Sequence, residues 1–344
     1  HVEAYEKSAR VRFRVDGQLY TAFEYPVSLH PSVASRIKIM SGMDIAERRK
    51  PQDGRILIRV DGRRIDLRAS ILPTMNGEKA VLRILDQESS NVGLDRLGLE
   101  PDDMEKIQMF CEMPWGIMLV TGPTGSGKST TLYSMLQRIN QPDVNIITVE
   151  DPVEFSVAGI NQVHVNEKAG LTFESALRSI LRQDPDIVMI GEMRDFETAH
   201  IGVQASLTGH LVLSTLHTND SIGAVIRLVD MGIEPYLAAN CMIGAVAQRL
   251  ARRLCPHCMR EVAPPAAMAR QGLKRAFEPV GCSECHNTGY KGRIGLYEQF
   301  VVDEAVQEAF VNGASASKLR EVARGNGFRT LWEIGLSAVA QGKT

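Results

Sequence analysis

The stretch of this sequence most explicit about chemistry is Gly122-Pro123-Thr124-Gly125-Ser126-Gly127-Lys128-Ser129, which matches G-x-x-x-x-G-K-[ST] in full and runs on into Thr130. Glycines at these spacings let the backbone curl so that successive N–H groups point inward, toward phosphate oxygens. An apolar, strand-like run precedes the loop and a helical pattern follows it, so a helix N-terminus adds its dipole to the same concavity. Residues 122–130 are therefore expected to bind a nucleotide, with Lys128 reaching the β- and γ-phosphates and Ser129 ligating Mg²⁺. A chance glycine-rich turn would lack those flanking elements.

Three further polar groups stand where other apolar segments end. Val149 runs into Glu150-Asp151, Ile190 into Gly191-Glu192, and Ser214-Thr215 leads to His217. In an open parallel sheet the carboxyl ends of the strands gather along one crevice, which is where ligands bind. Glu192 is expected to hold Mg²⁺ or its waters, Glu150 to polarise an attacking water, and His217 to sense the γ-phosphate. Which glutamate acts as the base stays open between Glu150 and Glu192. Taken singly, a strand-end carboxylate is more often a helix cap or a loop ion pair. Phosphoryl transfer also calls for cations on the transferred group. Arg68 and Arg83 lie on amino-terminal strands, and Arg178 and Arg182 lie one helical turn apart before Asp184. From the residues alone, arginines on strand surfaces are ordinarily solvated.

Cys255-Pro256-His257-Cys258 and Cys282-Ser283-Glu284-Cys285 form two C-x-x-C units with 23 residues between them. Two such knuckles place four thiolates tetrahedrally around Zn²⁺, a closed shell with no open position for water, and so a structural metal. A redox pair or idle reduced thiols are the alternatives. Cys111 and Cys241 lie in apolar helical stretches and read as core residues.

These groups need a frame. Residues 1–88 read as a small α/β domain, with Asp16-Gly17 and Asp61-Gly62 between alternating runs as hairpin turns and a helix over Ser32–Met43. The polar stretch that follows is read as a linker over 89–100, and Pro101 opens a helix. Gly116–Val120, Ile146–Val149, Ile187–Ile190 and Leu211–Ser214 are short apolar runs without alternation, as expected of strands buried on both faces of a parallel sheet. Helical stretches at Lys128–Ile139, Phe173–Arg182 and Glu197–Leu207 alternate with them, giving a doubly wound α/β domain over 101–254. The cysteine segment is assigned to 255–292 and a helical carboxyl-terminal part to 293–344.

The 344 residues carry 39 Lys+Arg against 41 Asp+Glu, a net charge of −2 that argues against a surface devoted to nucleic acid. Aromatic residues make up 6%, too few for a run of base-stacking positions, so a nucleic-acid translocase ranks low. A nucleotide-gated scaffold without turnover is a third reading. Apolar residues at 44% and charged residues at 23% describe a globular chain, and no apolar run approaches the length of a membrane-spanning helix. The opening His1-Val2-Glu3 and the closing Gly342-Lys343-Thr344 read as cuts in a longer protein, and the absence of a secretory signal makes a reducing, cytosolic compartment the expectation.

The phosphate loop, Thr148–Glu154, Leu181–Asp186 through Gly191–Asp195, and Thr208-Gly209-His210 through Leu216–Asn219 together resemble, in order, the Walker A, Asp-box, Walker B and His-box segments of the secretion ATPases, the GspE/PilB family. The likeness extends along essentially the whole chain. It implies a PAS-like domain linked to a RecA-like ATPase domain, working as a homohexameric ring with ATP, Mg²⁺ and Zn²⁺. It implies inner-membrane platform proteins and a cytoplasmic adaptor as partners, and a cytoplasmic location peripheral to the inner membrane. The family's catalytic arginines fall here on Arg68 and Arg83. Retraction ATPases of the PilT branch lack the cysteine knuckles, so Cys255, Cys258, Cys282 and Cys285 point to the secretion or pilus-assembly branch. The metal-binding insert is shorter than the family's, and the amino-terminal domain that docks on the membrane complex is absent from the sequence.

Overall fold

A computed structural model describes residues 1–86 and 92–344. The chain divides into two compact units, His1–Asn91 and Val92–Thr344. The first is a six-stranded antiparallel sheet with one long helix. Its strands are β1 (Val2–Ala4), β2 (Ser8–Val15), β3 (Gln18–Pro26), β4 (Gln52–Val60), β5 (Arg63–Thr74) and β6 (Gly77–Asp86), in the order β3-β2-β1-β6-β5-β4. Both predicted hairpin turns are present: Asp16 and Gly17 have φ of 48° and 87°, and Asp61 and Gly62 have 50° and 82°. Positive φ at both central residues matches the twist of the flanking strands. The helix α1 (His30–Ser41) lies two residues earlier than its expected bounds and packs Ala34 and Ile37 on the sheet face carrying Ile56, Ala69, Ile71 and Ala80. Because strand side chains alternate, the opposite face of β4, β5 and β6 presents Arg55, Arg68 and Arg83.

The second unit is built on a seven-stranded sheet. After α2 (Pro101–Glu112) come β7 (Gly116–Thr121), α3 (Lys128–Ile139), β8 (Ile146–Glu150), β9 (Asn161–His164), α4 (Phe173–Ile180), β10 (Ile187–Ile190), α5 (Phe196–Leu207) and β11 (Leu211–Leu216). Then follow α6 (Ser221–Asp230), α7 (Pro235–Cys241), β12 (Met242–Leu254), the small hairpin β13 (Met259–Val262) and β14 (Ala276–Pro279) flanking α8 (Ala266–Ala269), and β15 (Tyr290–Val301). Three helices close the chain: α9 (Glu304–Val311), α10 (Ala316–Ala323) and α11 (Leu331–Ala340). The sheet order is β15-β12-β7-β11-β10-β8-β9, parallel throughout except for the antiparallel pair β12–β15.

All four expected inner strands are present and buried on both faces. Ile117 and Leu119 join the core beneath α5, α6 and α7, while Met118 and Val120 join the one shared with α2 and α3. Two sheet neighbours were not anticipated. The phosphate-loop strand β7 lies between β11 and β12, and residues 293–301, expected within a helical terminal part, continue the edge strand β15. The linker expected over 89–100 begins outside the described residues; its described part carries a short 3₁₀ turn at Leu94–Arg96, whose Leu94, with Leu97 after it, is buried in the core of the second unit. Among the described residues, no helix is long and apolar enough to cross a membrane.

Candidate nucleotide site and four-cysteine centre

The phosphate loop closes a tight curl between β7 and α3. Gly122, Gly125 and Gly127 have φ of 147°, 79° and 93°. A Cβ on Gly122 would stand 2.6 Å from the carbonyl oxygen of Gln248 and from Ser126 Oγ, and one on Gly127 would stand 2.7 Å from Gln248 Nε2. Only glycine fits at either place. Helix α3 starts after Gly127 without a side-chain cap, so its first N–H groups remain available to an anion. Ser126 Oγ is buried without a hydrogen-bond partner. A cradle of glycines, uncapped amides and an orphaned hydroxyl suits phosphate oxygens. Lys128 Nζ meanwhile donates to the loop's own Gly122 O at 2.8 Å and Pro123 O at 3.3 Å. Burial holds the Lys128 ammonium below its ordinary pKa, with the Glu192 charge opposing and Arg249 reinforcing that shift.

The neighbouring strand ends are laced to this loop. Thr121, at the end of β7, accepts the Thr218 N–H at 2.8 Å, fixing the turn that carries His217. Ser214 and Thr215 on β11 donate to Ile190 O at 2.7 Å and Gly191 O at 2.8 Å, and Met193 N–H returns to Thr215 O at 3.1 Å. Glu192 is thereby held with one carboxylate oxygen on Arg194 and the other 3.7 Å from His217 Nε2. Lys128, Glu192 and His217 thus converge, as the order β7-β11-β10 requires, and Ser129 and Thr130 lie in the first turn of α3 beside them.

Glu150 is placed differently. It is 4% exposed at the end of β8, where one oxygen accepts Tyr133 OH and the other accepts Thr148 Oγ1 at 2.5 Å and Gln162 Nε2 at 3.3 Å. Arg178 pairs with Glu174 at 3.1 Å one turn back on α4, and Arg182, just past the end of that helix, donates to Arg178 O at 2.6 Å, so both are engaged locally. In the first unit Arg68 lies directly across from Arg83 on one side and Arg55 on the other, a row of three arginines over adjacent strands. Arg55 grips the buried Asp66 through two bonds of 2.7 and 2.5 Å.

Sequence reasoning missed Gln248 and Arg249 of β12. Gln248, 2% exposed, accepts Thr131 Oγ1 at 2.8 Å and walls the loop, and Arg249 donates to Asn219 O at 3.0 Å beside His217. Thr131 and Gln248 are 117 residues apart, and no local pattern links them. Tyr133 and Gln162 were missed for the same reason. Arg194 stood inside a recognised segment and its charge was the available signal.

The four cysteines come together as expected. Cys255 and Cys282 sulfurs are 3.8 Å apart, Cys258 and Cys285 3.8 Å, and Cys282 and Cys285 3.7 Å. A Zn–S bond of about 2.3 Å gives a tetrahedral edge of about 3.8 Å. Backbone N–H groups of Gly281, Cys282 and Gly289 point at Cys258 or Cys285 sulfur at 3.2–3.3 Å, which favours thiolate. The donor set and its spacing fit a structural Zn²⁺.

A glycine-only phosphate cradle on a parallel sheet, with a carboxylate and an imidazole at the next strand ends, defines a P-loop α/β protein. The chain belongs to the type II/IV secretion system protein family, whose model matches residues 1–344. The type II secretion system protein HxcR of Pseudomonas aeruginosa is 52% identical over 344 residues, spanning 100% of this chain and 71% of the relative. The type IV pilus assembly ATPase PilB of Myxococcus xanthus is 49% identical over 357 residues, spanning 100% of this chain and 62% of its own length. Among solved structures, the pilus retraction motor PilT with bound ADP matches with a TM-score of 0.66 at 27% identity, over 98% of this chain and 88% of that one.

Proposed function

We propose that this chain is the ATPase module of a type II secretion system, hydrolysing ATP to drive pseudopilus assembly from the cytoplasmic side of the inner membrane. The observation that carries this reading is the convergence of Lys128, Glu192 and His217 on a cradle whose buried Ser126 Oγ has no partner of its own. Phosphates entering the cradle take the free N–H groups of the loop and of the first turn of α3, and Lys128 exchanges the Gly122 and Pro123 carbonyls for phosphate oxygen. Ser129 and Glu192 offer a hydroxyl and a carboxylate with room for water, a donor set suited to Mg²⁺, which when bound neutralises charge on the β- and γ-phosphates. Glu192 is an acid whose charge is felt at Lys128, and His217 beside it couples γ-phosphate loss to the 217–220 turn. Arg68 and Arg83 supply the cations that a dissociative phosphoryl transfer needs. Motion arises because ATP and ADP differ in the contacts they make with these groups. A homohexameric ring, platform proteins in the inner membrane, a cytoplasmic adaptor, a PAS-like role for the first unit and a structural Zn²⁺ on the four cysteines complete the proposal.

Type IV pilus assembly is the second reading, supported by the 49% identity to PilB over the whole chain. Phosphate release by the full-length, ring-forming protein tests the shared core of both. Lys128→Ala and Glu192→Gln are each expected to lower kcat by about 10²–10³-fold or more. Unchanged turnover in both variants overturns the proposal. Complementation of a secretion mutant against a pilus-extension mutant separates the two readings.

A further inference from the structure

We propose that Tyr133 and Glu150 form a buried brace that sets the acid-bearing 151–154 turn against the phosphate-loop helix, and that both are positioning residues rather than proton-transfer groups. Tyr133 lies five positions after Lys128 on α3 and is 1% exposed. Its hydroxyl donates to Glu150 Oε2 and accepts Gln162 Nε2 at 3.5 Å. Its ring packs on Phe155 with centroids 4.2 Å apart. Gln162 on β9 closes the cluster: Nε2 donates to Glu150 Oε1 at 3.3 Å and Phe155 O at 3.1 Å, while Oε1 accepts Val157 N–H at 2.8 Å. One hydrogen-bonded cluster therefore joins α3, the end of β8, the Phe155–Val157 segment directly after the turn carrying Asp151 and Glu154, and β9.

The chemistry of the two central groups follows from this enclosure. A carboxylate has about four lone-pair directions. Three of those on Glu150 meet neutral protein donors, and the residue is 4% exposed, which leaves little for an incoming water. The Tyr133 hydroxyl is driven well above its ordinary pKa by burial and by the Glu150 charge, so it remains a donor. A buried network satisfied to this degree rigidifies the elements it joins, because breaking any one bond leaves a polar group unpaired away from water.

The inference rests on the proposed hydrolysis, and two independent readouts test it. Tyr133→Phe keeps the ring and its packing on Phe155 while releasing Glu150 Oε2 and Gln162 Nε2. Expected in this variant are hydrogen exchange at Val157, whose N–H is held by Gln162 Oε1, at least about tenfold faster, affinity for a fluorescent ATP analogue within about twofold of wild type, and kcat lowered about ten- to a hundredfold. Glu150→Gln is expected to show the same split, the double variant to lose little more than either single one, and the pH dependence of kcat to keep its acid limb. A Glu150→Gln loss far exceeding that of Tyr133→Phe, with the acid limb abolished, makes Glu150 the base and overturns the brace. Unchanged Val157 exchange in Tyr133→Phe overturns it too, whether or not the protein hydrolyses ATP. Should Glu150→Gln fail to fold, Thr148→Val, which removes one donor at the edge of the cluster, is expected to give the same split at smaller amplitude, and an unaltered kcat there counts against the brace.

Discussion

Glu298 on the edge strand β15 is buried to 3% exposure, yet it lies in none of the recognised motif segments. One of its oxygens accepts Ser221 N–H at 2.8 Å and Ser221 Oγ at 2.7 Å, and the other accepts Leu331 N–H at 2.8 Å. Those two backbone donors open α6 and α11, so a single carboxylate caps two helix N-termini, where negative charge is favoured. Glu298→Ala strands two buried donors on Ser221 and a half-buried one on Leu331. Each unsatisfied donor costs about 1–3 kcal/mol, and partial relief by water brings the total to about 3–5 kcal/mol. For a unit the size of Val92–Thr344, about 2–4 °C per kcal/mol puts the fall in Tm at about 6–20 °C. Glu298→Gln keeps one oxygen for one helix and sets its NH₂ against the remaining donors, so a loss of about 1–2 kcal/mol is expected. Differential scanning calorimetry on both variants reads the order wild type, Gln, Ala. A Tm for Glu298→Ala within about 2 °C of wild type refutes the double cap, and a Gln variant as damaging as Ala refutes the counting of acceptors behind it.

Wild-type protein prepared without chelator is expected to carry one zinc per chain by atomic emission, and Cys282→Ser or chelation to remove it and raise protease cleavage within 255–292; metal-free wild type refutes the assignment. In the first unit, Arg12 and then Lys79 hold the Glu3 carboxyl down from 4.5 to about 2 against the effect of burial. A depressed folded-state pKa stabilises above the unfolded value, so this contribution, about 2 kcal/mol after discounting the solvent-facing Lys79, is present above pH 4.5 and is lost as pH falls toward 2. Glu3→Gln is expected to flatten that part of the acid-unfolding curve, and an unchanged curve refutes the linkage. Arg68→Ala and Arg83→Ala are each expected to cut kcat by about 10²–10³-fold with nucleotide affinity retained, whereas Arg55→Ala, which leaves Asp66 buried without its partner, is expected chiefly to lower the melting point of the first unit; equal kinetic losses at all three positions refute the distinction.

The parts of the site that were legible in the sequence are those whose chemistry is local. Gly122–Ser129 announces a phosphate cradle because tight backbone curvature and the residue types that permit it are neighbours in the chain. The inner strands announced themselves because burial on both faces removes the period-2 alternation and leaves continuous apolar runs. The cysteine knuckles were readable because each pair is a turn, and the structure supplied only the closeness of the two pairs. Strands β12 and β15 were not readable for the complementary reason. Gln248-Arg249-Leu250-Ala251-Arg252-Arg253 interrupts the apolar run with charge, and its identity as strand comes from pairing with β7 and β15. Glu150 shows the same limit in the other direction. Its position at a strand end suggested a base, while its partners Tyr133 and Gln162 lie 17 and 12 residues away in sequence.

The wall of the cradle and the anchor of the carboxyl-terminal helices are consecutive rungs of one ladder. Gln248 faces the phosphate loop from β12, its cross-strand partner on β15 is Tyr297, and the next residue of β15 is Glu298, which holds α6 and α11. Tyr297 itself donates to Leu97 O at 3.0 Å, and Gln299 to Asp103 O at 2.9 Å. Within this unit, then, the antiparallel pair β12–β15 ties the loop that grips phosphate to the first turn of α6, directly after the His217 turn, and to the start of the last helix. Antiparallel ladders resist sliding because a shift of one residue turns every side chain to the other face. For a change of contacts at Gln248 to reach Glu298, the ladder would have to tilt, since the register forbids a slip within it. That predicts matched amide-exchange changes at Ser221 and Leu331 when an ATP analogue binds, and their loss in Glu298→Ala. Nucleotide-dependent protection confined to the phosphate loop, with both amides indifferent, would show that the ladder carries structure but no signal.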